Sequence, residues 1–177
     1  LDGTKIKANA SKRRALSWKH ACKLEKQLKT EVEALMRQAE EADRADIPDG
    51  LDIPEELARR EKRLAAIGEA KAAIERRAAK RHAEEQADFE KRLAGRKDKE
   101  QKTGKKTRGK EPKPPEPRLR DKDQVNLTDD ESRIMLTPGG GFEQCYNAQA
   151  SVDIETMLVV GQHLTQNSND ALEIEPA

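Results

Sequence analysis

The sequence predicts an α+β protein in which a long helical hairpin is set between a lone strand and a strand hairpin. Three observations carry this. Large apolar residues recur at spacings of three and four over two long stretches. Two short runs toward the C-terminal end alternate in polarity or are rich in β-branched residues. Between them lies a stretch of Lys, Gly and Pro with almost no large apolar side chain.

Composition sets the scale of any core. Of the 177 residues, 39% are charged and 2% aromatic, the aromatics being Trp18, Phe89, Phe142 and Tyr146. Such a chain can bury a small core and an amphipathic helix pair, but not a globule of its full length. The net charge of +1 conceals a strong asymmetry. Residues 1–94 carry 22 basic and 19 acidic side chains, residues 95–120 carry 11 and 4, and residues 121–177 carry 2 and 11. A near-neutral total is therefore no argument against a polyanionic partner. Cys22 and Cys145 stand apart, and with His20, His82 and His163 they show no zinc-type spacing. They read as reduced thiols of a cytosolic protein. No apolar run approaches the ~20 residues that span a bilayer, and no signal peptide is visible, so no membrane partner is expected. The chain starts at Leu1, inside a motif, which reads as a sign that something has been cut away.

Residues 1–15 form the first unit, with a strand over Leu1–Lys7 running into a polar turn. Residues 16–94 form the hairpin. Leu24, Leu28, Val32, Leu35, Ala39 and Ala42 make one apolar stripe. Pro48, Asp49 and Gly50 break it. A second helix then starts with Asp52 as cap, Pro54 in the first turn and Glu55 three residues after the cap. Leu57, Leu64, Ile67, Ile74 and Ala78 continue the seam, with a weaker tail through Phe89 and Leu93. Residues 95–122 read as a disordered Lys/Pro-rich linker, because nothing there offsets the entropy of ordering. In residues 123–177, Asn126–Ser132 reads as a turn with a short capped helix and Gly139–Gly141 as a flexible approach. A strand over Phe142–Val152 follows, placing Tyr146, Ala148, Ala150 and Val152 on one face and Cys145, Asn147, Gln149 and Ser151 on the other. A turn at Asp153–Thr156 leads to a second strand over Met157–Leu164, and a helix starts at Asn169.

Four segments, DGTKIKANASK at 2–12, NLTDDESRIM at 126–135, GGFEQCYNAQASVD at 140–153 and LVVGQHLTQNSND at 158–170, together resemble the DDE transposases of bacterial insertion sequences. The resemblance is to the group with a long charged helical insertion, and it covers the two ends of the chain. It implies a partial RNase H-like core of three antiparallel strands and a helix start. Residues 1–7, 143–153 and 157–165 would be the strands and 169 onward the helix. It also implies that Asp2 is the first of three carboxylates holding two Mg²⁺ ions, whose other members, an Asp and a Glu, would follow Ala177. Two metals about 3.5–4 Å apart grip the attacking and leaving oxygens of a phosphodiester, and hard carboxylate oxygens suit Mg²⁺. One carboxylate cannot hold two ions, so this chain is expected to be an inactive fragment.

The resemblance further implies double-stranded DNA as partner, at element ends and target, with a homodimer assembling on it in the bacterial cytoplasm at the nucleoid. Lys5, Lys7, Lys12, Arg13 and Arg14, just beyond the first strand, are then candidate phosphate contacts, against the alternative of a solvated charge run. A lone Asp-Gly is more often a turn than a ligand; only the neighbouring motifs reverse that for Asp2. Asp153 reads as the cap of the hairpin turn and Asp170 as a helix cap after Asn169. The competing reading is a non-enzymatic coiled-coil interaction or nucleic-acid-binding protein. It accounts for the charged helices but not for the strand motifs.

Overall fold

The computed structural model describes residues 2–45, 53–116 and 118–174. In chain order these form β1 (Asp2–Lys7), a 3-10 turn (Lys12–Arg14), β2 (Ala15–Ser17), α1 (Trp18–Ala45) and α2 (Ile53–Thr103). There follow β3 (Gln124–Asn126), β4 (Arg133–Leu136), β5 (Phe142–Val152), β6 (Val159–Thr165) and a 3-10 turn (Asp170–Glu173). The α+β class is as the sequence indicates, with helix content set by the insertion and strand content by the two ends.

The helices pack along their apolar stripes. Leu28 in α1 and Ile67, Ala70, Ala73 and Ile74 in α2 are buried in one cluster, flanked by Leu24 and Leu64. Ion pairs fix the direction. Glu25 meets Lys71 at 2.6 Å and Glu31 meets Arg60 at 3.2 Å, so rising numbers in α1 match falling numbers in α2 and the pair is antiparallel. Two cations hold the Glu25 carboxyl down at about 2, the hydrogen bond from Lys29 weighing most and that from Lys71 next. Lys71 also lies 5.0 Å over the Trp18 ring, a cation–π contact at the base of the hairpin. The expected Asp52 cap lies outside the described residues.

At that base the chain closes on itself. β2 pairs antiparallel with β3, Leu16 opposite Val125, and both side chains join the helical cluster with Leu119 beside them. Neither strand was expected, and together they tie the start of the insertion to its end. Asp123 adds a clasp: Arg81 in α2 donates to both its carboxylate oxygens at 2.6 and 2.8 Å, and the Arg120 amide donates at 2.9 Å.

Three local expectations are corrected. The second helix does not stop near residue 94 but runs to Thr103, supported by Arg96–Glu100 and Lys102–Asp98 pairs at helical spacing. Nor is the remaining linker structureless: Arg96 donates to the carbonyls of Thr107, Gly109 and Lys110, folding the chain back along α2. Between Asn126 and Ser132 there is no helix. The Asn126 side chain accepts from the Thr128 amide and the Asp129 side chain from those of Glu131 and Ser132, side-chain turns that compete with helix. The glycines at 139–141 close a hairpin from β4 to β5, with Gly140 at φ +80, a left-handed backbone that suits glycine.

In the main sheet β5 is central. β1 pairs along one edge over Cys145–Ala150. β4 and β6 share the other, pairing with Phe142–Cys145 and with Asn147–Val152 in turn. All pairings are antiparallel, and the outer edge of β1 has no partner among the described residues.

Ile74 is 1% exposed at the heart of the helical cluster. Ile74→Ala should therefore lower stability by about 2–5 kcal/mol in chemical denaturation. An equal substitution at exposed Met36, 50% accessible, should cost well under that.

Candidate functional site

The polarity of the main sheet is inverted relative to an ordinary core. Asn147, Gln149 and Cys145 on β5 are 0–2% exposed, whereas on the opposite face Ile6 and Leu164 are 50% and 59% exposed. A polar face stays buried only if its groups are satisfied, and here the segment after β6 folds back to supply the acceptors. The carboxylate Oδ1 of Asp170 accepts from Lys5 Nζ at 2.9 Å, Asn147 Nδ2 at 2.6 Å and Gln149 Nε2 at 2.7 Å. Three donors on one oxygen hold the Asp170 carboxyl at about 2, the Asn147 bond weighing most, then Lys5. Three residues on, buried Glu173 accepts from His163 Nε2 at 2.7 Å, Thr165 Oγ1 at 3.0 Å and Asn167 Nδ2 at 2.6 Å. Those bonds, from Asn167 and then His163 above all, hold it below the usual glutamate range.

Gly3 makes the first of these clasps possible. A Cβ there would lie 2.4 Å from Asp170 Oδ1 and 2.5 Å from Gln149 Nε2. Its value is close approach within a strand, not a turn. The Asp-Gly pair is therefore not a turn, since both residues lie in β1. It also corrects the assignment of Asp170 as a helix cap: Asn169 takes that role, accepting from the Ala171 amide, and Asp170 reaches back to β1 and β5. Asp153 does close the β5–β6 turn, accepting from the Thr156 amide and hydroxyl.

The candidate residues of the DNA-facing reading separate. The backbone of Asp2 sits opposite Ala150, at the start of β1 and next to Gly3. Lys5, opposite Asn147, is ion-paired with Asp170, its side chain only 13% exposed. Lys7, Lys12, Arg13 and Arg14 are exposed on the segment leaving β1. Among the described residues, Lys12 alone of these has a carboxylate near, Glu143 at 3.6 Å. The clasp was not anticipated, although two amides at alternate positions of one strand, Asn147 and Gln149, are its sequence signal. Cys22 and Cys145 are both free thiols. Among the described residues no group of three or more His, Cys, Asp or Glu is gathered for a metal, and no helix is long and apolar enough to cross a membrane.

Comparisons with protein-family models, curated proteins and solved structures gave no match. Geometry and motif must carry the reading.

Two outcomes test the clasp. Gly3→Ala should cost about 1–3 kcal/mol by overpacking, read by urea denaturation. Because the folded Asp170 carboxyl is depressed to about 2 from an unfolded value near ~3.9, its stabilisation is full above pH ~4 and lost as pH falls toward 2. Asp170→Asn should flatten that part of the stability–pH curve; an unchanged acid limb would remove the ion pair from the picture.

Proposed function

We propose that this chain is part of a DDE transposase of the insertion-sequence type, contributing the first catalytic carboxylate, Asp2, to Mg²⁺-dependent DNA strand cleavage and transfer. The observation that carries the reading is the placement of the motif residues. The strand bearing Asp2-Gly3 lies antiparallel against β5, and β6 flanks β5 on its other side. This meander, with the middle strand second in the core order, is what the first three strands of an RNase H-like core would make. The motifs at 2–12, 140–153 and 158–170, far apart in sequence, meet in one sheet through Gly3, Lys5, Asn147, Gln149 and Asp170. A helical insertion whose two ends are joined by β2 and β3 leaves that core continuous.

Placement also favours this over a coiled-coil interaction protein. The apolar seam of the helices is consumed within the chain, in the cluster around Leu28, Ile67 and Ile74. The unpaired outer edge of β1 leaves room for a further strand. On the metal, the described residues do not fit two Mg²⁺ ions by themselves: Asp170 and Glu173 are occupied by their own donors. No catalytic step is assigned to this chain alone, and partner carboxylates must come from elsewhere in the protein. Lys7, Lys12, Arg13 and Arg14 would contact DNA phosphates next to that centre, in an enzyme working as a dimer on double-stranded DNA.

The test is a nicking and strand-transfer assay on duplex DNA with Mg²⁺ or Mn²⁺. The 177 residues alone should give no product. The same residues within a protein that supplies a later Asp and Glu should nick DNA, and Asp2→Asn should reduce nicking to background. Asp2-dependent product from the 177-residue chain would refute the incompleteness. Undiminished nicking by Asp2→Asn in the larger protein would refute the role of Asp2.

A further inference from the structure

A cleft of about 960 Å³ opens between the middle of α2 and the edge of the main sheet where β4 and β6 meet. Its charged lining is mostly cationic: Arg77, Lys80, Arg81, Lys122 and Arg133 against Glu84 and Asp123. The acids are largely spent, since Asp123 is held bidentate by Arg81 and Glu84 lies 3.9 Å from Lys80. That leaves Arg77, Lys122 and Arg133 with no carboxylate at ion-pair distance among the described residues.

Arg77 and Arg133 are unusual for guanidinium groups in protein. Both are half-buried, yet each is met by neutral oxygens only. Arg133 donates to the carbonyls of Asp130, Glu131 and Ser132 and to Gln166 Oε1. Arg77 makes one weak bond, 3.3 Å to the Gln124 carbonyl. A guanidinium has five N–H donors in a planar fork, so most of those on Arg77 remain open to the cleft. Burial pulls both groups below the usual arginine range, Arg133 to about 10 with the Arg77 charge as its second cause, against the smaller opposing pull of Asp130 and Glu131. Asp129, Asp130 and Glu131 lie near enough to moderate the field at Arg77 but not to pair with it. Two like charges are thus held toward one space by separate elements, one by α2 and one by β4.

We propose that this cleft is an oxyanion site that takes a phosphate group between Arg77 and Arg133, with Lys122 at its rim. An anion there relieves the mutual repulsion and occupies the open donors of Arg77; planar forks are well matched to phosphate oxygens. The phosphate of a DNA backbone and a free phosphate share this chemistry. The site lies on the insertion side of the sheet and does not depend on Asp2 or on the transposase reading. In a DNA-bound protein it would give the helical hairpin its own grip on the duplex, separate from the Lys7–Arg14 segment.

The test uses the whole chain with two probes, inorganic phosphate followed by ³¹P line broadening, and a short duplex DNA followed by fluorescence anisotropy across a salt series. Arg77→Gln should weaken binding about tenfold and reduce the salt slope for DNA by about one. Arg77→Lys, which keeps the charge, should recover much of the loss. Lys62→Gln, the same charge change at an exposed α2 position, should have little effect. Arg133→Gln should act like Arg77→Gln, provided circular dichroism shows the fold intact. Phosphate and DNA both weakened at Arg77 identifies a backbone phosphate; phosphate alone identifies a small anion. Binding of neither probe, or equal effects of Arg77→Gln and Lys62→Gln, overturns the site. Since Asp2→Asn does not touch this cleft, undiminished nicking by that variant in the larger protein, with anion binding intact, would refute the catalytic reading and leave this one standing.

Discussion

One carboxylate oxygen organises the main sheet. Asp170 Oδ1 draws Lys5 from β1 and Asn147 and Gln149 from β5 to a single point, so a segment near the end of the chain locks its beginning. Without that acceptor, Gln149 would be a buried amide with neither end satisfied and Asn147 would keep only its bond to the Asn167 carbonyl; even now the side-chain carbonyl oxygens of both lack a donor among the described residues. Unmet buried polar groups are costly, so the amide face and the carboxylate require one another. The need for the clasp in turn requires glycine at position 3. Thus the Asp-Gly at the start of β1 is positioned by a side chain more than 160 residues away, as the Lys5–Asp170 separation of 165 makes plain.

The insertion follows a different logic. Its core is aliphatic and alanine-rich, with Ala21, Ala70, Ala73 and Ala78 as small buried residues that let two helices approach closely. Charge pairs across and along the helices fix direction and keep the outside solvated. Exposed pairs of this kind contribute little each, so the stability of the hairpin rests on the cluster around Leu28, Ile67 and Ile74. Closure by β2 and β3 lets this body sit within a sheet protein without separating β1 from β5. The same arrangement brings the basic face of α2 against the sheet edge, which is how Arg77 and Arg133 come to share a cleft.

What the sequence made legible follows from how local each signal is. The two helices were readable because Leu24 through Ala42 and Leu57 through Ala78 repeat over several turns. β5 and β6 were readable from alternation and β-branching, and β1 from the motif that carries the resemblance. β2, β3 and β4 were not: each has three or four residues, and their pairing depends on partners brought together by the rest of the fold. The extension of α2 to Thr103 escaped because a highly charged run resembles a linker, and its order shows in long-range bonds, Arg96 to the returning carbonyls and Glu100 from the Thr107 amide. The placement of Asp2 and Gly3 in a strand rather than a turn was legible by motif. The role of Lys5 was not, because a lysine that ends in an internal ion pair looks the same in sequence as one that meets solvent. The burial of the amide face rather than the apolar one was also invisible, since polarity alone gives the opposite expectation.

The dependence of β1 on Asp170 is tested most directly by amide hydrogen exchange in Asp170→Ala compared with the unaltered chain. The expected result is faster exchange at residues 3–7 and at their partners 145–150, with the α1–α2 hairpin unchanged, because the clasp acts on the sheet alone. Protection of β1 equal in both proteins would contradict it, and would mean that backbone pairing with β5 holds the strand without the carboxylate.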